Sequence, residues 1–392
     1  MKILLLHNRY TQVGGEDTVF DNECGLLEDN GYTIQKLIFK NKKTKNLLLQ
    51  VLLFWDTLFS FSSFFKVLRV IRKFRPDIIH VHNIFYTASP SVLWAARICN
   101  VPVVMTLHNF RLLCPGALFL RDGKICEKCR HKKFPIDGVR HRCFKGFAPS
   151  LALAVTLCLH KLINTWNTTV ERYICLNEFA ATTFKNSSLK VTEEKIVVKP
   201  NWTHNQYQTN NIGKQEHFLF VGRLSHEKGV PFLLKAFEKI GKKLWIAGSG
   251  PLNEKMKNLP SNIVYLGALE KGEVVQQMAK AKAVLLPSCW YEMFPMIIIE
   301  AFSVGTPIIA TRIGGLPGII NHGTNGLLFE KGNEKDLLEK VLSLDDCAFY
   351  NRLCCNAQKT FKAKYTDTVA IDNLFQIYKP FMKETVIPAK VC

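Results

Sequence analysis

The amino-acid sequence predicts an α/β protein built from two doubly wound parallel sheets, one in each half of the chain. Its 392 residues exceed what a single hydrophobic core usually serves, so two domains are expected. Apolar runs of strand length alternate with helical patterns up to residue 201, a polar stretch follows at 203–216, and the alternation then begins again. Short apolar runs separated by helices are typical of parallel sheets that are buried on both faces.

The domain boundaries follow from this alternation. We expect a Rossmann-like domain over 1–202, a linker over 203–216, a second Rossmann-like domain over 217–346 and further helices over 347–392. Strands of the first domain are predicted at 2–6, 77–82, 101–108, 172–177 and 195–201. Strands of the second are predicted at 217–222, 243–248, 262–267, 283–288 and 306–311. Ligands of such folds bind at the carboxyl ends of the strands, which here predicts a cleft between the domains.

The chain is strongly basic, with 52 Lys and Arg against 32 Asp and Glu and a formal net charge of +20. Such an excess favours an anionic partner: a phosphorylated substrate, an acidic membrane surface or nucleic acid. A solvated basic surface is the plain alternative. No nucleic-acid-binding motif accompanies the charge, so we predict no nucleic-acid partner.

Two further features of the sequence concern the cellular location of the protein. The N-terminal run MKILLLH is too short in apolar residues for a secretory signal, so we expect a cytoplasmic protein whose 13 cysteines are thiols or metal ligands. The segments 47–65 and 147–160 are the most apolar, and lysines and an arginine flank the first. Each could be an interfacial helix on an acidic bilayer or a buried core helix, and the sequence leaves both open.

Glycines that follow the ends of predicted strands indicate an anion-binding site. Gly14 and Gly15 join the first strand to a helical pattern, where glycine lets a phosphate approach the backbone amides at the positive helix end. The same pair would serve any tight turn. A second glycine turn, GSGP with Gly248 and Gly250, follows a strand of the second half.

A basic pair opens the second half. Arg223 and Lys228 lie in VGRLSHEKG (221–229), directly after a strand. Two cations at the carboxyl end of a strand can clamp a diphosphate, Arg through its fork and Lys as a point charge. The alternative is a solvated loop in which Glu227 neighbours Lys228.

The stretch CWYEMFPMIIIEAF (289–302) places Glu292 and Glu300 around an apolar run. Pro295 is predicted as the first residue of a helix, where its missing N–H costs nothing. The amides of Phe294–Met296 would then face the cleft as an anion site, and each carboxylate could hold vicinal hydroxyls of a sugar ring. A capping carboxylate plus a solvated helix glutamate is the alternative.

Four cysteines lie together in the segment 114–143: Cys114, Cys126, Cys129 and Cys143. A C-x2-C pair followed by a further cysteine in a reducing compartment suggests a structural Cys₄ zinc site that holds a loop. His131 or His141 could replace one ligand. Free thiols are the main alternative, and an iron–sulfur cluster or a disulfide are the remaining ones.

The ordered set of motifs resembles the retaining family 4 glycosyltransferases of the GT-B fold. The second half contributes VGRLSHEKG, GSGP, the E-x7-E element, GGLPGII (314–320) and NGLLF (325–329). The first half contributes the Gly-Gly loop, HVHN (80–83) and TLHNF (106–110), and is similar to bacterial enzymes of capsule, exopolysaccharide and lipopolysaccharide assembly. The GT-B arrangement also implies that a C-terminal helix crosses back to the first domain.

The resemblance implies roles by position. Four residues would be catalytic: His108 beside the donor sugar, Glu292 on its hydroxyls, and Arg223 and Lys228 on the departing diphosphate. Glu300 would bind the nucleotide ribose and the amide of Gly15 the phosphates. The rest of the implied donor site comprises Gly14, Gly248, Gly250, Leu266, Leu269, Phe294, Pro295 and Met296.

The implied reaction moves a sugar from a UDP- or GDP-sugar to a lipid-linked or polysaccharide acceptor, with retention at the anomeric carbon and no assigned protein nucleophile. No D-x-D motif occurs in the sequence, so no cofactor is expected for catalysis. The enzyme would bind peripherally to the inner face of the plasma membrane. The competing hypothesis is a non-catalytic sugar-nucleotide-binding partner subunit.

Overall fold

A computed structural model describes residues 1–9, 14–41, 47–204, 213 and 215–382, with the side chains of 47–52 outside the description. Two six-stranded sheets form its frame, with strand orders β2-β1-β3-β4-β7-β8 and β11-β10-β9-β12-β13-β14. Every strand pairing in both sheets is parallel. The predicted fold class, two doubly wound parallel sheets, is therefore confirmed.

The first sheet and its helices occupy the N-terminal half. Its strands carry continuous buried apolar runs; Ile3, Leu4 and Leu5 are 0% exposed. The strands are β1 Lys2–Arg9, β2 Thr33–Lys40, β3 Ile78–Asn83, β4 Val103–Leu107, β7 Arg172–Cys175 and β8 Ile196–Val198, with a hairpin of β5 Leu120–Arg121 and β6 Lys124–Ile125 in the cysteine-rich segment. The helices are α1 Gly15–Asp29, α2 Leu47–Leu58, α3 Phe61–Phe74, α4 Ser91–Ile98, α5 Ile136–Arg140, α6 Phe147–Leu162, α7 Thr165–Thr169 and α8 Glu178–Lys185, with a 3₁₀ turn at Glu193–Lys195.

The second sheet repeats the pattern. Its strands are β9 His217–Val221, β10 Lys243–Ala247, β11 Ile263–Gly267, β12 Ala283–Leu286, β13 Ile308–Thr311 and β14 Gly326–Phe329. Its helices are α9 Val230–Ile240, α10 Lys271–Lys280, α11 Met296–Ser303, α12 Leu316–Ile319, α13 Glu334–Ser343, α14 Cys347–Lys364 and α15 Asp367–Tyr378, with 3₁₀ turns at Asn253–Met256 and Lys379–Phe381. The last helix, α15, buries Leu374 and Tyr378 in one cluster with Ile3 and Phe20, so it packs on the first sheet.

The apolar segment 47–65 is two helices, which corrects the expectation of one. Ser60 separates α2 from α3, and its hydroxyl caps α3 by accepting the N–H of Ser63 at 3.4 Å. A serine that caps one helix interrupts the previous one, because its extended backbone lies outside helical geometry. Among the described residues, no helix is both long enough and apolar enough to cross a membrane.

Loops at the carboxyl ends of the two sheets meet. The ring of Tyr291, in the loop after β12, packs edge-on against Phe179, with 4.8 Å between ring centroids, and lies 6.5 Å from Phe110. The side-chain amide of Asn177, just after β7, donates to the main-chain oxygen of Met293. Because the carboxyl ends of parallel strands share one edge of a sheet, these contacts place the binding edges of both sheets on a common cleft.

Candidate active site

Glu292 lies in the β12–α11 loop with only 5% of its surface exposed. One carboxylate oxygen, Oε1, accepts from Lys228 Nζ at 2.6 Å, from Ser288 Oγ at 2.7 Å and from Trp290 Nε1 at 3.0 Å. Lys228 Nζ also lies 5.5 Å from the centre of the Trp290 ring. A buried carboxylate is tolerated when it is paired and hydrogen-bonded, so Lys228 and Glu292 form one unit.

Arg223 lies on the same loop as Lys228 but makes a different pair. Its Nη2 donates to Glu227 Oε1, and its side chain is 53% exposed. Glu227 thus pairs with Arg223, whereas Lys228 pairs with Glu292. The Glu227 side chain is only 15% exposed, so the pair is half-buried with the guanidinium on its solvent side.

Glu300, one helical turn inside α11, has no such partner. Burial raises the pKa of this carboxyl, and only the charge of Lys271 opposes the rise. Within the described ranges its carboxylate makes no hydrogen bond or ion pair; Ser303 bonds only to its main-chain oxygen. A partly buried carboxyl with unused acceptors can take hydrogen bonds from a ligand.

Pro295 is not the first helical residue, which corrects the sequence prediction. Its ψ of 116° is extended, so it is the N-cap residue and α11 begins at Met296. Proline lacks an N–H, and the helix therefore offers its first amide at Met296. Phe294 is 8% exposed and packs on Tyr365, which anchors the loop.

The glycines predicted at the donor site divide into two groups. Among the residues that the structure describes, nothing lies within 4 Å of a Cβ built at Gly14 or at Gly15, so both border space that the described part of the chain leaves open. Gly14 is the N-cap of α1, and its N–H already donates to Asp17 Oδ2 at 2.9 Å. The amide of Gly15 begins the helix beside that open space, as an anion site requires.

Gly248 and Gly250 instead support the Arg223 loop. A Cβ at Gly248 would collide with the main-chain oxygen of Gly222, and one at Gly250 would lie 2.5 Å from that of Leu224. The N–H of Leu224 donates to Ser249 O at 3.0 Å, which ties the two loops together. Only glycine permits this approach. Leu266 and Leu269, at the end of β11 nearby, are partly buried.

His108 follows β4 and is backed by a second histidine. Its Nε2 lies 3.0 Å from Nδ1 of His82, and the two rings stack with centroids 5.1 Å apart. Burial, followed by the neighbouring His82, holds the pKa of His108 well below its usual range. His108 is therefore a neutral imidazole, suited to hydrogen bonding rather than to carrying charge.

Glu16, Asn109 and Arg111 were not predicted from the sequence. Asn109 Nδ2 donates to Glu16 Oε2 at 3.2 Å, and Glu16 Oε1 is buried without a partner among the residues that the structure describes. Burial raises the pKa of Glu16 to about 8 even though Arg111 lies near. Glu16 directly follows Gly15, and Asn109 directly follows His108. Their position next to predicted site residues is the sequence feature from which they could have been predicted.

The structure does not support the predicted zinc site at the four clustered cysteines. In the described part of the chain, the group whose ligand atoms all lie within 4.8 Å of one another is a different one, Glu23, His80 and His82. Burial, then the nearby Cys114 sulfur, raises the pKa of the Cys129 thiol to about 12 and that of Cys143 to about 11. Cys114, Cys126, Cys129 and Cys143 are all free.

Two family models match consecutive stretches of the chain: "Glycosyltransferase Family 4" over 46–204 and "Glycosyl transferases group 1" over 203–360. The chain belongs to the family 4 glycosyltransferases. This glycosyltransferase is 24% identical over 389 residues to an uncharacterized glycosyltransferase of Methanocaldococcus jannaschii, a match that covers 97% of this chain and 98% of the relative. It is also 24% identical over 389 residues to an uncharacterized 41.2 kDa protein in the cps region of Klebsiella pneumoniae, covering 96% of this chain and 99% of that one.

The fold agrees with this assignment. The crystal structure of HepE from Anabaena in complex with UDP matches the glycosyltransferase with a TM-score of 0.65 and 18% identity, over 97% of this chain and 100% of HepE. At that identity the likeness shows the fold alone, which is GT-B. The resemblance to family 4 glycosyltransferases seen in the sequence motifs is confirmed.

Proposed function

We propose that this glycosyltransferase transfers a sugar, with retention at the anomeric carbon, from a nucleotide-diphosphate sugar to a lipid-linked or saccharide acceptor. The contact between Lys228 Nζ and Glu292 Oε1, at 2.6 Å, carries the proposal. It holds a cation suited to a diphosphate directly beside a carboxylate suited to sugar hydroxyls. The scissile bond of a nucleotide sugar joins those same two chemical groups.

The chemical step follows from this placement. The bond between the anomeric carbon and the diphosphate oxygen breaks, and its electron pair leaves with the diphosphate, where Lys228 and Arg223 stabilise the charge. The acceptor oxygen forms the new bond to the anomeric carbon on the same face, and its proton passes to the departing diphosphate oxygen. Glu292 and the neutral His108 hold the donor sugar during the exchange, and two cations already present replace the charge of a divalent metal.

The acceptor class is inferred from relatives. One relative is encoded in a cps region, and HepE is a structural neighbour seen with UDP. We infer a nucleotide-sugar donor and an acceptor of cell-surface polysaccharide synthesis for this chain too.

A panel of UDP- and GDP-sugars tests the function. Nucleotide release is measured with octyl glycosides as acceptors, with and without EDTA, and product configuration is read by NMR. We expect turnover of one donor class, an anomeric configuration identical to that of the donor, and no loss of rate with EDTA. Tight nucleotide binding without turnover of any donor would instead support a non-catalytic binding subunit.

We further propose that α3 docks the enzyme on an acidic membrane. Phe61 and Phe65 are 67% and 57% exposed, and they lie on one helix face with the exposed Arg69 and Arg72. The neighbouring Trp55 of α2 is 62% exposed. Exposed aromatics bordered by cations are typical of an interfacial helix at the cytoplasmic face of a membrane.

Replacing Arg69 and Arg72 together by glutamine is expected to weaken binding to phosphatidylglycerol vesicles about 30-fold, since each cation contributes about 1 kcal/mol near an anionic surface. Co-sedimentation with phosphatidylcholine vesicles, with and without phosphatidylglycerol, provides the measurement. Lys255 and Lys257, both exposed on the second domain, give a control double variant with the same loss of charge. Equal weakening in both double variants would show that only net charge matters.

A further inference from the structure

A buried polar network is joined to His108 through His82. Glu23 of α1 is 1% exposed, and its Oε2 accepts from Lys199 Nζ at 2.8 Å. Its Oε1 lies 2.9 Å from Nδ1 of His80 and 3.2 Å from Nε2 of His82. The hydroxyl of Tyr378, from α15, approaches the same His80 nitrogen at 2.6 Å.

The cluster has the spacing of a metal-ligand group, but its contacts are those of a hydrogen-bond network. A cation bound by Glu23, His80 and His82 would sit next to the ammonium of Lys199, which already neutralises the carboxylate. The Tyr378 hydroxyl also occupies the space beside His80 Nδ1. Direct charge repulsion therefore disfavours a metal here.

The contacts fix where the protons lie. Burial alone would raise the pKa of Glu23, yet Lys199 and the two histidines hold it well below its usual range. Glu23 is thus an acceptor only, and Nε2 of His82, one of the two histidine nitrogens that face it, must carry hydrogen. Burial lowers the pKa of His82 to about 4, so the ring is neutral and its Nδ1 is a bare acceptor.

The same reasoning extends to His108. Its Nε2 lies 3.0 Å from the bare Nδ1 of His82, so it must be the donor of that hydrogen bond. A neutral imidazole carries one ring hydrogen, which leaves Nδ1 of His108 as an acceptor. In the described part of the chain, no protein group bonds to that Nδ1.

We propose that Glu23 and His82 are positioning residues that hold His108 as the neutral tautomer protonated on Nε2, so that its Nδ1 accepts a hydrogen bond from a hydroxyl of the donor sugar. This inference rests on the proposed function for the identity of the ligand but not for the tautomer. Outer partners that orient a histidine in this way, as around metal sites, typically change activity about 10–100-fold when removed.

The ring nitrogens of His108, observed by ¹⁵N NMR of the full-length protein and assigned with His108→Ala, test the tautomer without substrate. We expect the wild type to be neutral and protonated on Nε2 from pH 6 to 8. His82→Phe, which keeps a ring but removes the acceptor, should lose this single tautomer. His82→Asn, whose amide oxygen can take the place of Nδ1, should restore it.

Kinetics on the donor identified by the panel supply the second readout. His82→Phe should lower kcat about 10–100-fold with a smaller change in KM, and His82→Asn should recover most of it. His160→Phe is the matched control, because His160 is also buried and hydrogen-bonded, to Thr165 and to Leu58 O, in another part of the domain.

Either of two results would overturn the inference: a wild-type His108 protonated on Nδ1, or an unchanged tautomer in folded His82→Phe. The first result is measured on the wild-type protein, so the proposal can be tested even if His82→Phe does not fold. If the wild type turns over no nucleotide sugar, the proposed function fails while the NMR result still decides the tautomer.

Discussion

Replacing Lys228 by alanine is expected to lower kcat/KM for the donor about 10²–10³-fold, the usual effect of removing one preorganised group from a developing charge. The same change leaves the carboxylate of Glu292, whose side chain is 7% exposed, without its counter-ion. Because the Lys228 side chain is itself 22% exposed, solvent will screen part of that loss. We expect the free energy of unfolding to fall by about 1–3 kcal/mol, measured by urea denaturation.

A double variant separates the two effects. Glutamine at position 292 keeps acceptors for Ser288 Oγ and Trp290 Nε1 but carries no charge. Lys228→Ala with Glu292→Gln should therefore regain most of the stability and none of the activity. Recovery of turnover along with stability would contradict a direct role of Lys228 in the reaction.

Lys239→Ala supplies the matched control. Lys239 Nζ lies 2.6 Å from Glu334 Oε2, the same separation as in the Lys228 pair, but its side chain is 61% exposed. Exposed ion pairs contribute about 0–1 kcal/mol, so neither stability nor turnover should change appreciably. A comparable loss of turnover in this variant would point to general electrostatics instead of a specific contact.

The fold could be predicted because its central strands are apolar along their whole length. Strands such as β1 and β12 are buried on both faces, and a continuous apolar run is visible without any partner. Strand β2 at the sheet edge escaped prediction, because its TIQKLIFK pattern mixes polar and apolar residues and its first residues are partly exposed. The helix boundary at Ser60 was not predicted either, because a single capping serine is hard to recognise within an apolar run.

The site could be predicted as a set of residue types and not as a set of contacts. The sequence placed Arg223, Lys228 and Glu292 at strand ends, but it could not show that Lys228 pairs with a residue 64 positions away. His80 and Tyr378 are 298 positions apart, and their contact depends on how α15 packs on the first sheet. Such pairings are set by tertiary packing, which a local pattern does not carry.

Replacing Glu300 by glutamine is expected to weaken nucleotide binding about 10–100-fold, since hydrogen bonds to a charged group contribute about 1.5–3 kcal/mol. The free protein should become more stable at the same time. Burial raises the pKa of Glu300, so the folded protein binds a proton that the unfolded chain has released. Wild-type stability therefore falls as pH rises from the unfolded pKa toward the raised folded value, and the glutamine variant avoids that loss.

Calorimetric titration with UDP and GDP, and melting temperatures at pH 4 and pH 8, measure the two effects. The melting temperature of Glu300→Gln should exceed that of the wild type at pH 8, and the difference should nearly vanish at pH 4, where Glu300 is mostly protonated in both the folded and the unfolded state. Glu238→Gln, an exposed glutamate on α9, is the control and should change neither quantity. Unchanged nucleotide affinity in Glu300→Gln would remove this residue from the donor site, whereas a loss of stability at pH 8 would mean that the carboxylate serves the free protein. The decisive result is that Glu300→Gln raises stability and lowers nucleotide affinity. A carboxyl group that destabilises the free protein but strengthens ligand binding is explained by its role in binding and not by a role in folding.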